Sequence, residues 1–109
     1  MFGGLSNKAT GVYSSTIGGY KNISSNRQST VSGGYLNTAS GEDSSVSGGD
    51  TNNNKAAETF TLVAGGGFNE ALGFRAGVLG GELNKAVAES SWIFGTYGKE
   101  TKSMREIIY

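Results

Sequence analysis

The chain contains neither cysteine nor histidine among its 109 residues. Without cysteine there is no disulfide and no thiolate metal site, and cysteine usage cannot name the redox compartment. Without histidine the commonest general base and the commonest metal ligand are missing, so no cofactor or metal is expected. Charge is sparse too. Nine basic and nine acidic residues give a formal net charge of zero, and neither sign forms a block. Nucleic acids and anionic membranes both want a basic face, so neither is an expected partner. No stretch approaches the apolar length of a membrane span, so this segment is not expected to insert into a bilayer. Nor is a signal peptide expected ahead of the repeats, because Met1 and Phe2 already fall into their frame. The expectation is a segment of a larger exported protein, or a protein that reaches its site without a secretion signal.

Glycine, by contrast, is abundant, with 19 residues. Gly3, Gly18, Gly33, Gly48, Gly65, Gly80 and Gly95 open successive units of 15 residues, one unit being 17. All but Gly95 are followed by a second Gly, Thr96 standing in the last unit. An Asn comes four places after the first Gly: Asn7, Asn22, Asn37, Asn52, Asn69 and Asn84, with Lys99 breaking the run. A short fixed period is the mark of a solenoid, whose coils bury their inner faces only by stacking on neighbours.

With the first Gly as position 1, position 14 carries Thr16, Val31, Val46, Val63, Val78, Ile93 and Ile108. Six of the seven are Val or Ile, β-branched residues suited to a half-buried strand. Position 7 is mostly small: Ala9, Ser24, Ala39, Asn54, Ala71, Ala86 and Thr101. Small residues facing Val and Ile describe a thin coil of two short strands pressed together. Position 9, with Gly11, Asn26, Gly41, Ala56, Gly73, Ala88 and Ser103, reads as a left-handed corner. The Gly-Gly pair reads as another. Glycine at this density would cost a helix about 1 kcal/mol per site, so helix is rejected. The predicted fold is all-β: a parallel β-solenoid of about seven coils over residues 1–109, one repeat domain. Its height would be roughly 30–35 Å at about 4.8 Å per coil. The two extra residues of the irregular coil are expected in a loop between Asn54 and Val63.

The phrase Ser29-Thr30-Val31-Ser32-Gly33-Gly34-Tyr35-Leu36-Asn37-Thr38-Ala39-Ser40-Gly41, echoed in Ser44-Ser45-Val46-Ser47-Gly48-Gly49, resembles the head repeats of YadA-type trimeric autotransporter adhesins. The resemblance implies a left-handed parallel β-roll, three chains side by side, and adhesion to host or matrix surfaces. It also implies a place on the cell surface. Two departures stand out. The usual unit has a second apolar residue where this chain has Gly33, Gly48, Gly65 and Gly80, and these coils are one residue longer.

Two surfaces are candidates for function. Tyr20 and Tyr35 share position 3 of neighbouring coils, and stacked exposed aromatics can hold glycan rings. Leu79 and Phe94 at position 15, with Trp92 at position 13, would point away from the core and form an apolar patch near the C-terminal end. Such patches mark interfaces, so these three residues are the candidate subunit contact of a homotrimer.

Other motifs yield to plainer readings. The Asn row is expected to pin a turn rather than bind a ligand. Gly95-Thr96-Tyr97-Gly98-Lys99-Glu100 lacks the spacing of a phosphate loop, and Gly48-Gly49-Asp50 lacks the nine-residue period of a calcium roll. Glu42 with Asp43, and the isolated Glu58, Glu70, Glu82 and Glu89, read as solvated charge rather than an acid/base pair. Asn22-Ile23-Ser24 fits a glycosylation sequon, but Asn22 is simply the Asn of its coil. No catalytic residue is expected. The expected function is a non-enzymatic adhesive segment of a trimeric surface fibre that meets a receptor, glycan or matrix; the alternative is a viral or phage fibre segment.

Overall fold

The computed structural model describes residues 3–49, 55–56 and 59–109. Among these residues lie thirteen strands, each two residues long. Along the chain they are β1 (Lys8–Ala9), β2 (Ser15–Thr16), β3 (Ile23–Ser24), β4 (Thr30–Val31), β5 (Thr38–Ala39), β6 (Ser45–Val46) and β7 (Lys55–Ala56). Then follow β8 (Leu62–Val63), β9 (Glu70–Ala71), β10 (Gly77–Val78), β11 (Lys85–Ala86), β12 (Trp92–Ile93) and β13 (Ile107–Ile108). Odd strands β1 to β11 form a six-stranded sheet; β13 and the even strands form a seven-stranded one. All pairs are parallel, each strand bonding to the equivalent strand of the next coil. This is a parallel β-solenoid of about six turns, measuring 38 × 25 × 12 Å.

The core is the narrow seam between the two sheets. Val31, Val46, Val63, Val78 and Ile93 from position 14 are fully buried, as are Ala39, Ala71 and Ala86 from position 7. Burying each Val or Ile contributes about 1.5–3 kcal/mol, and the small partners let the sheets close. Where Thr16 replaces Val, its hydroxyl bonds the Ser24 hydroxyl (2.9 Å) and donates to the Lys8 carbonyl (3.0 Å). A polar pair thus replaces an apolar one at the first rung with no orphaned group.

The register corrects two sequence expectations about the irregular coil. Ala39 pairs with Ala56 and Ala56 with Ala71, so Ala56 belongs to the inner strand ladder and not to a turn corner. From Ala56 to Val63 the spacing equals that from Ala39 to Val46 in a regular coil. The two extra residues therefore enter before Lys55, not between Asn54 and Val63. Asn52 and Asn54, read as ladder members, lie outside the described residues.

Left-handed backbone also falls where composition gives no sign of it. The glycines at position 9 are not left-handed; the non-glycine left-handed residues stand at positions 4 and 11 instead. Ser6, Lys21, Leu36, Phe68 and Leu83 hold φ of 52–59° at position 4. Tyr13, Gln28, Asp43, Phe60, Arg75, Ser90 and Arg105 hold 54–63° at position 11. The reason is a reversal of hydrogen-bond direction. Elsewhere the N–H points to the following coil, as from Ile17 to Val31 O (3.0 Å), but Lys21 N–H donates back to Leu5 O (3.0 Å) and Gln28 N–H to Val12 O (2.8 Å). Position 9 is glycine for closeness: a Cβ on Gly11 would run into the Asn26 carbonyl, and one on Gly73 into Ala88.

The Gly-Gly corner does behave as expected. Gly4, Gly19, Gly34, Gly66 and Gly81 have φ of 79–93°, and a Cβ there would collide with the next coil's backbone and the neighbouring Asn amide.

Candidate functional site

The Asn ladder is structural, with its polar atoms already committed. Asn22 donates through Nδ2 to Gly18 O and Gly34 O (both 2.9 Å), and its Oδ1 accepts from Asn37 N–H (2.9 Å). Asn7, Asn69 and Asn84 repeat the pattern, the last passing its Oδ1 to Lys99 N–H (3.0 Å). Each side chain closes the Gly-Gly corner of its own coil and holds the corner above it. Asn22 is fully buried, which removes it as a glycosylation acceptor. A second ladder escaped the sequence reading. Ser14, Ser29, Ser44 and Ser91 at position 12 donate to the position-9 carbonyls at 2.6–2.7 Å, closing the opposite corner.

Among the described residues no group of three or more His, Cys, Asp or Glu side chains could hold a metal ion. Glu58 and Asp50 lie outside those residues. Thr96, in the Gly95–Glu100 phrase, donates to Asn84 Oδ1 at 2.8 Å and completes a corner. No helix among the described residues is long and apolar enough to cross a membrane.

The two candidate faces do form as surfaces. Leu5, Tyr20 and Tyr35 are linked coil to coil by parallel bridges, so the two tyrosines stand one coil apart. Their rings stack with centroids 5.3 Å apart and planes within 9°, close to the coil rise. Tyr20 is half-buried and Tyr35 exposed. The stack does not continue in this form, because position 3 of later coils holds Gly67, Glu82 and Tyr97, and Tyr97 has a glutamate rather than a ring one coil before it. The Lys21 ammonium sits 5.1 Å from the Tyr20 ring centroid, in reach of its π face.

The apolar face lies on the outer side of the seven-stranded sheet toward its C-terminal end. Leu79 and Phe94 are each 37% exposed. Phe94 stacks on Tyr109 at 5.6 Å, and Ile107 lies exposed at position 13. Trp92 is half-buried, its six-membered ring lying over Gly77 of the preceding coil, where a Cβ would collide with it. This packing escaped the sequence reading; its trace there is a lone glycine at position 13, one coil before a tryptophan. In the N-terminal coils the same face carries Ser15, Thr30, Ser32, Ser45 and Ser47, with the exposed Ile17 among them.

The stretch that carries Tyr35, β4 and β5 also has a known counterpart. A family model described as Ubiquitous surface protein adhesin repeat matches residues 29–41. There the chain is similar to a surface adhesin. The matched stretch runs from buried Ser29 through the Val31 core position and the Gly33-Gly34 corner to Asn37, Ala39 and Gly41. It therefore holds one example of most rungs that build the solenoid. No curated protein matches the chain. The adhesin-repeat likeness points to a surface adhesin segment, a role that is in general non-enzymatic.

Proposed function

We propose that this chain is a structural and adhesive segment of a trimeric fibre at the cell surface, belonging to a larger protein. The adhesin-repeat likeness at residues 29–41 carries this reading, with the same coil architecture continuing on both sides of it. A solenoid only 12 Å through in its thinnest direction buries little on its own, and side-by-side packing adds burial at about 25 cal/mol per Å². Leu79, Trp92 and Phe94 are the subunit contact in this reading, with Ile107 and Tyr109 extending it. The stacked Tyr20–Tyr35 pair is the surface offered to a receptor, glycan or matrix component. Fibre residues must be inert, numerous and repetitive, and the fully bonded Asn and Ser ladders suit that purpose better than chemistry. Light scattering coupled to size exclusion tests it. A mass of three chains is expected; a single-chain mass at micromolar concentration sinks the trimer.

A further inference from the structure

Beside the tyrosine pair lies a groove of about 410 Å³ lined by Ser6, Lys8, Lys21, Ile23 and Leu36. Its position follows from the coil. Ser6, Lys21 and Leu36 are the left-handed position-4 residues of three successive coils, and Lys8 and Ile23 are the outward position-6 residues of two. The groove thus runs along the solenoid axis between two ladders. Its volume suits one or two small rings, within the range of ligand pockets.

Its charge is one-sided. Up to Gly41 the sequence has Lys8, Lys21 and Arg27 and no acidic residue. The first carboxylates, Glu42 and Asp43, occupy the corner at positions 10 and 11, at the far edge of the flattened coil from position 4. Later coils differ: position 6 alternates Lys55, Glu70, Lys85 and Glu100, so each lysine there has a carboxylate one coil away, and position 4 carries Phe68, Leu83 and Gly98. Two ammonium groups therefore flank an apolar floor of Ile23 and Leu36 on the N-terminal coils alone. Lys21 joins this groove to the Tyr20 ring.

We propose that the groove formed by Ser6, Lys8, Lys21, Ile23 and Leu36, with the adjoining Tyr20–Tyr35 stack, binds an acidic oligosaccharide bearing carboxylate or sulfate groups. The ammonium groups of Lys8 and Lys21 meet the anionic substituents by charge-assisted hydrogen bonds. The Ser6 hydroxyl serves a sugar hydroxyl. Ile23, Leu36 and the flat tyrosine faces receive the C–H faces of the rings. Three cations in forty-one residues are too few to track a nucleic acid backbone. This inference rests on the adhesive reading and names the ligand class of its receptor face.

The test titrates the full chain by calorimetry with 3′-sialyllactose, a heparin-derived hexasaccharide and, as neutral control, lactose. The first two separate carboxylate from sulfate recognition. At least one acidic sugar is expected to saturate one site per chain, more weakly as salt rises, with lactose at least tenfold weaker. The Lys8→Ala/Lys21→Ala double variant should lose at least tenfold in affinity for the acidic sugar. Both lysines are exposed, so its melting temperature should match the parent's. Tyr35→Ala should weaken binding of the same sugar. Failure of both acidic sugars to bind, or unchanged binding by the double lysine variant, overturns the proposal. Adhesion of the coated chain to cultured cells is read in parallel. Adhesion without acidic-sugar binding sinks this inference and leaves the adhesive reading standing; sugar binding without adhesion supports the site and sinks that reading.

Discussion

Asn22 shows how much one side chain does in this fold. It makes three hydrogen bonds from a fully buried position, two of them to the coil above. At about 1 kcal/mol each, Asn22→Ala should cost on the order of 3 kcal/mol in thermal or denaturant unfolding. Asn22→Asp is more telling because its effect depends on pH. A buried carboxylate facing the Gly18 and Gly34 carbonyls has its folded pKa raised above the unfolded value of about 3.9. The folded state then holds the proton more tightly, so stability is greatest at low pH and lost as pH rises through the folded pKa. Melting of Asn22→Asp at pH 3 and pH 7 should show a larger deficit against the parent at pH 7; the reverse order would refute the geometry. Glycines divide just as clearly. Gly34→Ala places a Cβ within 2.5 Å of Gly49 O and of the Asn37 amide and should prevent stacking. Gly80→Ala meets nothing within 4 Å and should lose only the strain of φ +125°, about 1–3 kcal/mol.

At the scale of the coil, strands of two residues have no independent existence; each is held by equivalents above and below. Val46 sits between Val31 and Val63 in that ladder. Val46→Ala removes two methyl-sized groups from a core with no slack and should cost about 2 kcal/mol. In a quasi-one-dimensional stack the loss should broaden the melting transition as well as lower it. Much of the coil could be read from the residues. Val31, Val46 and Val63 announce the buried strand, and Gly-Gly with Asn announces one corner. The second corner was harder. Its left-handed residue is Tyr13, Gln28, Asp43, Phe60, Arg75, Ser90 or Arg105 in turn, and no shared chemistry marks them. The demand comes from the peptide that must turn back to the coil below, a tertiary requirement that composition does not record. If so, Gln28→Gly should stabilise by roughly 0.5 kcal/mol, since glycine removes the left-handed penalty at some entropic cost. The misplaced insertion has a simpler source. The two extra residues shift every position reckoned from Gly48, whereas the seven-residue spacing back from Val63 places Ala56 in its strand.

Over the whole molecule the two ends of the outer sheet face differ. The N-terminal coils present mostly Ser and Thr there, with Ile17 beside them, the C-terminal coils Leu79, Trp92, Phe94, Ile107 and Tyr109. In the trimeric reading the C-terminal half is the part that holds chains together. A Leu79→Asp/Phe94→Asp variant should then run as a single chain in light scattering while keeping its β-rich circular dichroism, because both side chains point away from the core. A trimer that survives both substitutions would move the contact elsewhere. The patch was legible as alternation across strand positions 13 to 15, but the Trp92 ring folding back over Gly77 belongs to packing between coils.

Every ladder described above, backbone, Asn and core alike, runs along one axis. Tension applied between the two ends therefore loads the coils one after another, as a zipper is opened, rather than shearing many bonds together. Each coil that peels away would release about fifteen residues and lengthen the tether by on the order of 45 Å. Pulled in a flow, such a rod would yield in small equal steps, absorbing load without parting from what it holds.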